Sequence, residues 1–154
     1  SLIGTANPER DRLALGLALW FSLNTVALAD QSVRAEGIVV HYSAINTTAL
    51  SVDAALKLGV QRRASHALVL LSPRRDPQLE DAAPLAAQAS GVVRRLTGQR
   101  QSLSWRTVRV ENQPDLIAEF EIQDGEHLNF DLSVLPEGAS APLVIRFRQQ
   151  FYRE

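Results

Sequence analysis

Cysteine and methionine are absent from the 154 residues, lysine occurs once, at Lys57, and aromatic residues make up only 6% of the chain. Without cysteine there is no disulfide, no thiolate metal site and no thiol nucleophile, and the redox state of the compartment leaves no mark. Without methionine, Ser1 is expected not to be the biological start. Catalytic and nucleotide signatures are missing too. There is no G-x-x-x-x-G-K-[ST] loop for a nucleoside triphosphate, no G-x-S-x-G elbow and no H-x-H or H-E-x-x-H spacing among His41, His66 and His127. Neither charge sign is in excess, with 16 basic against 17 acidic groups. The pairs Arg62-Arg63, Arg74-Arg75 and Arg94-Arg95 are dispersed, so nucleic acid is not an expected partner.

What is present begins with a leader. Leu13 to Leu23 is an almost unbroken apolar run, preceded by Arg10 and Arg12 and followed by a segment ending Ala27-Leu28-Ala29. Small residues at the first and third positions before a scissile bond suit signal peptidase, and a run this short fits a signal peptide better than the ~20 residues of a spanning helix. Residues 1–29 are therefore expected to form a signal-peptide helix, cleaved before Asp30, with no stable membrane insertion afterwards. The remaining residues, 30–154, have room for one domain able to bury a core without covalent staples.

Past Asp30 the apolar pattern takes period two, the signature of half-buried strands. Leu116, Ala118, Phe120 and Ile122 alternate with Ile117, Glu119, Glu121 and Gln123. Asp124-Gly125 follows, suited to a two-residue hairpin turn, and then Leu128, Phe130, Leu132 and Val134 alternate with polar residues. The last strand sets Leu143, Ile145, Phe147 and Phe151 against Arg146, Arg148, Gln150 and Tyr152. Further strands are predicted at residues 36–44, 67–72, 86–96 and 103–111. Residues 67–71 are apolar on both faces, which suits a strand covered on both sides. Turns are expected at Thr97-Gly98-Gln99 and Asn112–Asp115, and the longest loop at Pro73–Pro84.

One helix interrupts the strands. Ser51 can cap it, Asp53 suits its first turn, Gly59 can end it in the left-handed conformation, and Val52, Ala55 and Leu56 are its expected buried face. It should lie across an open end of the core. The fold class predicted is mainly β, an antiparallel β-sandwich of about seven strands with one short helix.

The stretch from Val40 to Leu50, the helix, and Gly59-Val60-Gln61-Arg62 resemble the opening of a family of exported proteobacterial proteins catalogued as domain of unknown function 4426. Ser90-Gly91, Leu96 to Gln99, Ile117 to Phe120 and Phe147 to Tyr152 extend the resemblance over the whole mature domain. It implies a signal peptide, a β-sandwich and a periplasmic address. It implies no activity, and no family site residues come with it.

For function, the densest group of hydrogen-bonding side chains is His41, Tyr42, Asn46, Thr47, Thr48 and Arg62, around the crossover helix. His41, Tyr42, Asn46, Thr48 and Arg62 are the candidate ligand-binding residues, able together to hold a carboxylate or a peptide terminus. The same groups can equally satisfy loop backbone atoms. The acids Glu119, Glu121 and Asp131 alternate with core residues, as the wet side of a strand does. The expected function is a periplasmic, non-enzymatic binding or accessory domain for a protein or small ligand of the cell envelope, with no catalytic residue, metal or cofactor. A small periplasmic hydrolase or metal-dependent enzyme is the alternative, and it requires a histidine in contact with a carboxylate or serine in a concave site. A structural component of an envelope complex is the third reading. On the last strand, the polar face can either recruit an extended peptide or block unwanted pairing.

Overall fold

The computed structural model of the chain describes residues 31–154 apart from 78, 80 and 81, so the leader and its cleavage site lie outside the described residues. Nine strands are described: β1 Ser32–Ala35, β2 Ile38–Asn46, β3 His66–Arg75, β4 Ala87–Arg95, β5 Arg100–Ser102, β6 Arg106–Val110, β7 Gln113–Glu121, β8 Glu126–Pro136 and β9 Leu143–Phe151. They form a five-stranded sheet of order β1-β2-β3-β7-β6 and a four-stranded sheet of order β5-β4-β8-β9, antiparallel throughout. This is the predicted two-sheet architecture with two more strands, because β1 and β5 lie ahead of the predicted segments 36–44 and 103–111.

Glu36 and Gly37, predicted to open a strand, are a two-residue turn with φ of 54° and 72°, and β1 precedes it. Positive φ at both central residues is the type I′ hairpin geometry that matches strand twist. Glu111 and Asn112 do the same between β6 and β7, with φ of 50° and 67°, so Gln113, Pro114 and Asp115 are strand residues and not the turn. The predicted strand 103–111 starts only at Arg106, because Leu103-Ser104-Trp105 is where the chain leaves β5 in one sheet and enters β6 in the other. β3 continues through Pro73 to Arg75, so the loop after it is shorter than expected.

The hairpin predicted at Asp124-Gly125 is corrected. β7 and β8 belong to different sheets, and the turn carries the chain across the core. Only Gly125 has a positive φ, 75°, so the two-residue I′ geometry is not formed. The alternation on either side is unaffected, because both strands still point Phe120 and Phe130 inward, where their rings meet edge to face with centroids 5.3 Å apart. Phe147 stacks on Phe130 at 4.4 Å and Phe151 meets Phe120 at 5.4 Å. These rings fill the core at the end where β7 and β9 finish, and Val40, Val69, Leu71, Leu132, Val134 and Ile145 continue it.

The helix, α1, spans Val52–Leu58. Its caps are those expected: the Ser51 side chain accepts the Ala54 N–H at 3.0 Å, and Gly59 takes φ 68°. Its buried face is not. Ala55 and Leu58 are buried, whereas Val52 and Leu56 are 63% and 75% exposed. Nor does the helix close an end of the core. Leu58 and Val60 rest on Leu68, Val108 and Ile117, a second apolar cluster on the outer face of the five-stranded sheet. Leu68 and Ile117 are fully buried there, which explains why β3 is apolar on both sides and why Ile117 interrupts the acidic row of β7.

One buried hydroxyl fastens this excursion. Thr47, in a single 3-10 turn at Thr47–Ala49, has no exposed surface. Its Oγ1 accepts the Arg63 N–H at 2.8 Å and lies 2.8 Å and 3.0 Å from the carbonyls of Arg63 and His66, between which its single proton is shared.

Candidate functional site

Strand parity decides where the candidate residues point. On β2, Val40 and Ala44 enter the core, so even-numbered residues face inward and odd-numbered ones outward. Tyr42 therefore faces in, its ring 5.1 Å from that of Phe147. His41 faces out, between Ser32 of β1 and Ser72 of β3. Partial burial, then the guanidinium groups of Arg74 and Arg34, hold its pKa below the ordinary histidine value. Both arginines are engaged, Arg74 with Asp115 at 2.8 Å and Arg34 with Asp76. Asn46 lies five strand residues from His41, about 17 Å at the usual rise. The five residues thus do not make one pocket.

The other three do gather. Arg62 Nη2 donates to the Thr48 carbonyl at 2.9 Å, fixing the 3-10 turn, and Asn46 Nδ2 donates to the Tyr152 carbonyl at 2.6 Å. Gln149 of β9 donates its Nε2 to the Ala44 carbonyl at 2.7 Å. These two amides join the edge of β2 to the edge of β9 without any backbone ladder between the sheets. A hollow of about 400 Å³ opens along this seam, lined by Asn46, Thr48, Ala49, Gln149, Gln150 and Tyr152 among others. Its polar groups come from opposite ends of the sandwich's sequence, the end of β2 and the end of β9, so composition alone did not disclose Gln149 or Gln150 as members.

β9 gives the seam its chemical character. Among the described residues it pairs with β8 on one side and with no strand on the other, where β1 and β2 of the five-stranded sheet approach it. The Phe151 carbonyl accepts from Gly125 on the β8 side, and the Tyr152 carbonyl points the opposite way, to Asn46. Backbone groups alternate in direction along an antiparallel strand, so Val144, Arg146, Arg148 and Gln150 turn their N–H and C=O groups away from β8, toward the side that no described strand pairs with. Asn46 already takes the last carbonyl in that row with a side-chain amide, as a partner's backbone N–H would.

At the same end of the molecule a cavity of about 640 Å³ lies between the β4–β5 turn and the Asp124-Gly125 crossing, lined in part by Arg95, Leu96, Arg100, Glu121, Glu126 and His127. Arg95 is ion-paired to Glu126, each side chain less than one-fifth exposed, and its Nη2 donates to the Glu121 carbonyl at 3.1 Å. Glu126 also accepts the Gln123 N–H at 2.7 Å. These charges are committed to holding the crossing turn.

The geometry that hydrolysis needs is met only in part. Ser65 Oγ lies 2.8 Å from His66 Nδ1. Among the described residues no carboxylate lies within 4.0 Å of His66 to orient it, and neither residue lines the cavities above. Among the described residues no three His, Asp or Glu side chains converge as metal ligands, and no helix is long and apolar enough to cross a membrane.

Comparison with known proteins follows the fold. The chain is similar, at 24% identity and a TM-score of 0.68, to a crystal structure of a DUF4426 family protein from Pseudomonas aeruginosa, covering 80% of this chain and 95% of that one. Two structures of FetP from uropathogenic Escherichia coli, a copper-bound variant and a form expressed in the periplasm, are similar in fold at 8% identity. Their TM-scores are 0.53 and 0.51, with 82% and 79% of this chain covered and 97% and 93% of theirs. No curated protein matches the chain. The family model described as Domain of unknown function (DUF4426) matches residues 32–154, the whole of the sandwich, and the chain belongs to that family.

Proposed function

We propose that this chain is an exported, non-enzymatic binding domain of the periplasm, which captures an extended segment of a partner protein along the open edge of β9. The single observation that carries this reading is the backbone of β9, unpaired on its far side among the described residues, beside a seam held by amide side chains. Strand addition draws affinity from such main-chain groups and selectivity from neighbouring pockets. The hollow beside Asn46 and Thr48 is in position to take the end of the added segment. Export is supported by the apolar leader ending Ala27-Leu28-Ala29. The copper of the FetP variant has no converging His, Asp or Glu ligand set here among the described residues.

A proline pair tests the reading. At Arg148 proline removes an N–H that faces the open edge, which edge strands tolerate, whereas at Ile145 it removes a ladder N–H toward β8. With a photo-crosslinking residue in place of Val144, the parent protein is expected to form adducts in the envelope. The Arg148→Pro variant is expected to fold and form none, and Ile145→Pro to unfold. Adducts that survive Arg148→Pro, or that form only from probes beside the β4–β5 turn, overturn strand addition.

A further inference from the structure

We infer that the segment taken up by β9 is acidic on one face, with carboxylates on alternate residues set opposite Arg146 and Arg148. This rests on the strand-addition reading and names the chemistry of its partner. The outer face of the four-stranded sheet carries a cross-strand row, Arg100 on β5, Arg94 on β4, Asn129 on β8 and Arg148 on β9. All three arginines are exposed. Among the described residues Arg94, Arg100 and Arg148 make neither an ion pair nor a side-chain hydrogen bond. Most other arginines do, including Arg34, Arg74, Arg95, Arg106 and Arg153. Like charges directly opposite in a ladder, as Arg94 and Arg100 are, oppose sheet pairing. The next row adds Arg146, with Asp131 as its acid at a long 3.4 Å.

The row ends at β9, the last described strand of its sheet, so its next position on the outer face belongs to whatever strand is added. Arg146 and Arg148 are two residues apart on β9, about 7 Å, the repeat of same-face residues on a facing strand. Two residues further back stands Val144, 51% exposed. The complementary segment is therefore a run of three same-face residues, two acidic and one apolar. Charges that only guard an edge against pairing belong on the edge itself. Arg94 and Arg100 lie away from it on the neighbouring strands, which favours recognition.

Synthetic ten-residue peptides test this by fluorescence anisotropy with the purified full chain. One carries two Glu and one Val on successive alternate positions of a Thr-rich sequence, one replaces each Glu by Lys, and one keeps the composition but sets the two Glu side by side. The patterned acidic peptide is expected to bind at least tenfold more tightly than either control. The double variant Arg146→Glu, Arg148→Glu is expected to reverse the preference toward the Lys peptide. Equal binding of patterned and side-by-side peptides overturns the inference, as does binding of phosphatidylglycerol vesicles with no preference among peptides. If all three peptides bind alike and Arg148→Pro abolishes that binding, strand addition stands and the acidic pattern falls. If no peptide binds, both fall.

Discussion

Gly91 sits on β4 opposite Leu132 of β8, and a Cβ built on it would lie 2.5 Å from Leu132 Cδ2 and 3.2 Å from the Asp131 carbonyl oxygen. Leu132 is 1% exposed, so it has little space into which to retreat. Replacing Gly91 by Ala restricts the unfolded chain and by that route alone stabilises by about 0.4–1 kcal/mol. Forcing a methyl into a filled core costs about 1–3 kcal/mol. The clash is the larger effect, so Gly91→Ala is expected to lose about 1–2 kcal/mol. Read by thermal unfolding of the purified protein, that is a midpoint lower by roughly 4–8 °C for a domain of this size. Leu132→Val withdraws the offending methyl and alone costs roughly 1 kcal/mol. The double variant is expected to be more stable than the sum of the single losses by at least about 0.5 kcal/mol, since the two sites are in contact. A Gly91→Ala protein as stable as its parent, or strictly additive losses, would refute this account of β4 against β8.

Two further outcomes follow from the outer face of the five-stranded sheet. Leu58→Ala should destabilise by about 2–3 kcal/mol because the side chain roofs the second cluster, while Leu56→Gln, one turn position away in solvent, should change stability by less than about 0.5 kcal/mol; urea titration separates them, and similar losses at both would contradict the helix orientation. His41 has a folded pKa below its unfolded value, so the unfolded chain binds the proton first and stability falls as pH drops below about 6.5. His41→Gln should flatten the stability profile over that acid range, and an unchanged slope would show that another group sets it.

Much of this was written in the alternation of side chains. Leu116 to Ile122 and Leu143 to Phe151 point as period two requires, and Ser51 and Gly59 bound the helix as their chemistry predicts. The same period, applied strictly, separates His41 from Tyr42, because neighbours on a strand face opposite ways. What alternation cannot disclose is which strand lies beside which. An inward Phe120 and an inward Phe130 look alike whether their strands share a sheet or face each other across the core, and here they face each other. The helix face was misread because Val52 and Leu56 are apolar yet unburied, while Leu58 and Val60 find partners on a sheet surface that Ile117 and Leu68 had already marked as dry. The seam was out of reach for a related reason: Gln149 and Ala44 meet only once both sheets exist.

Thr47 ties both ends of the helical excursion with a single oxygen, joining residue 47 to residues 63 and 66 before either β2 or β3 is asked for anything. The eighteen residues between Thr47 and His66 form a cassette whose entrance and exit are clamped together. Changes within it that keep Thr47 and the seating of Leu58 and Val60 on the sheet can be absorbed without shifting the register of the strands on either side.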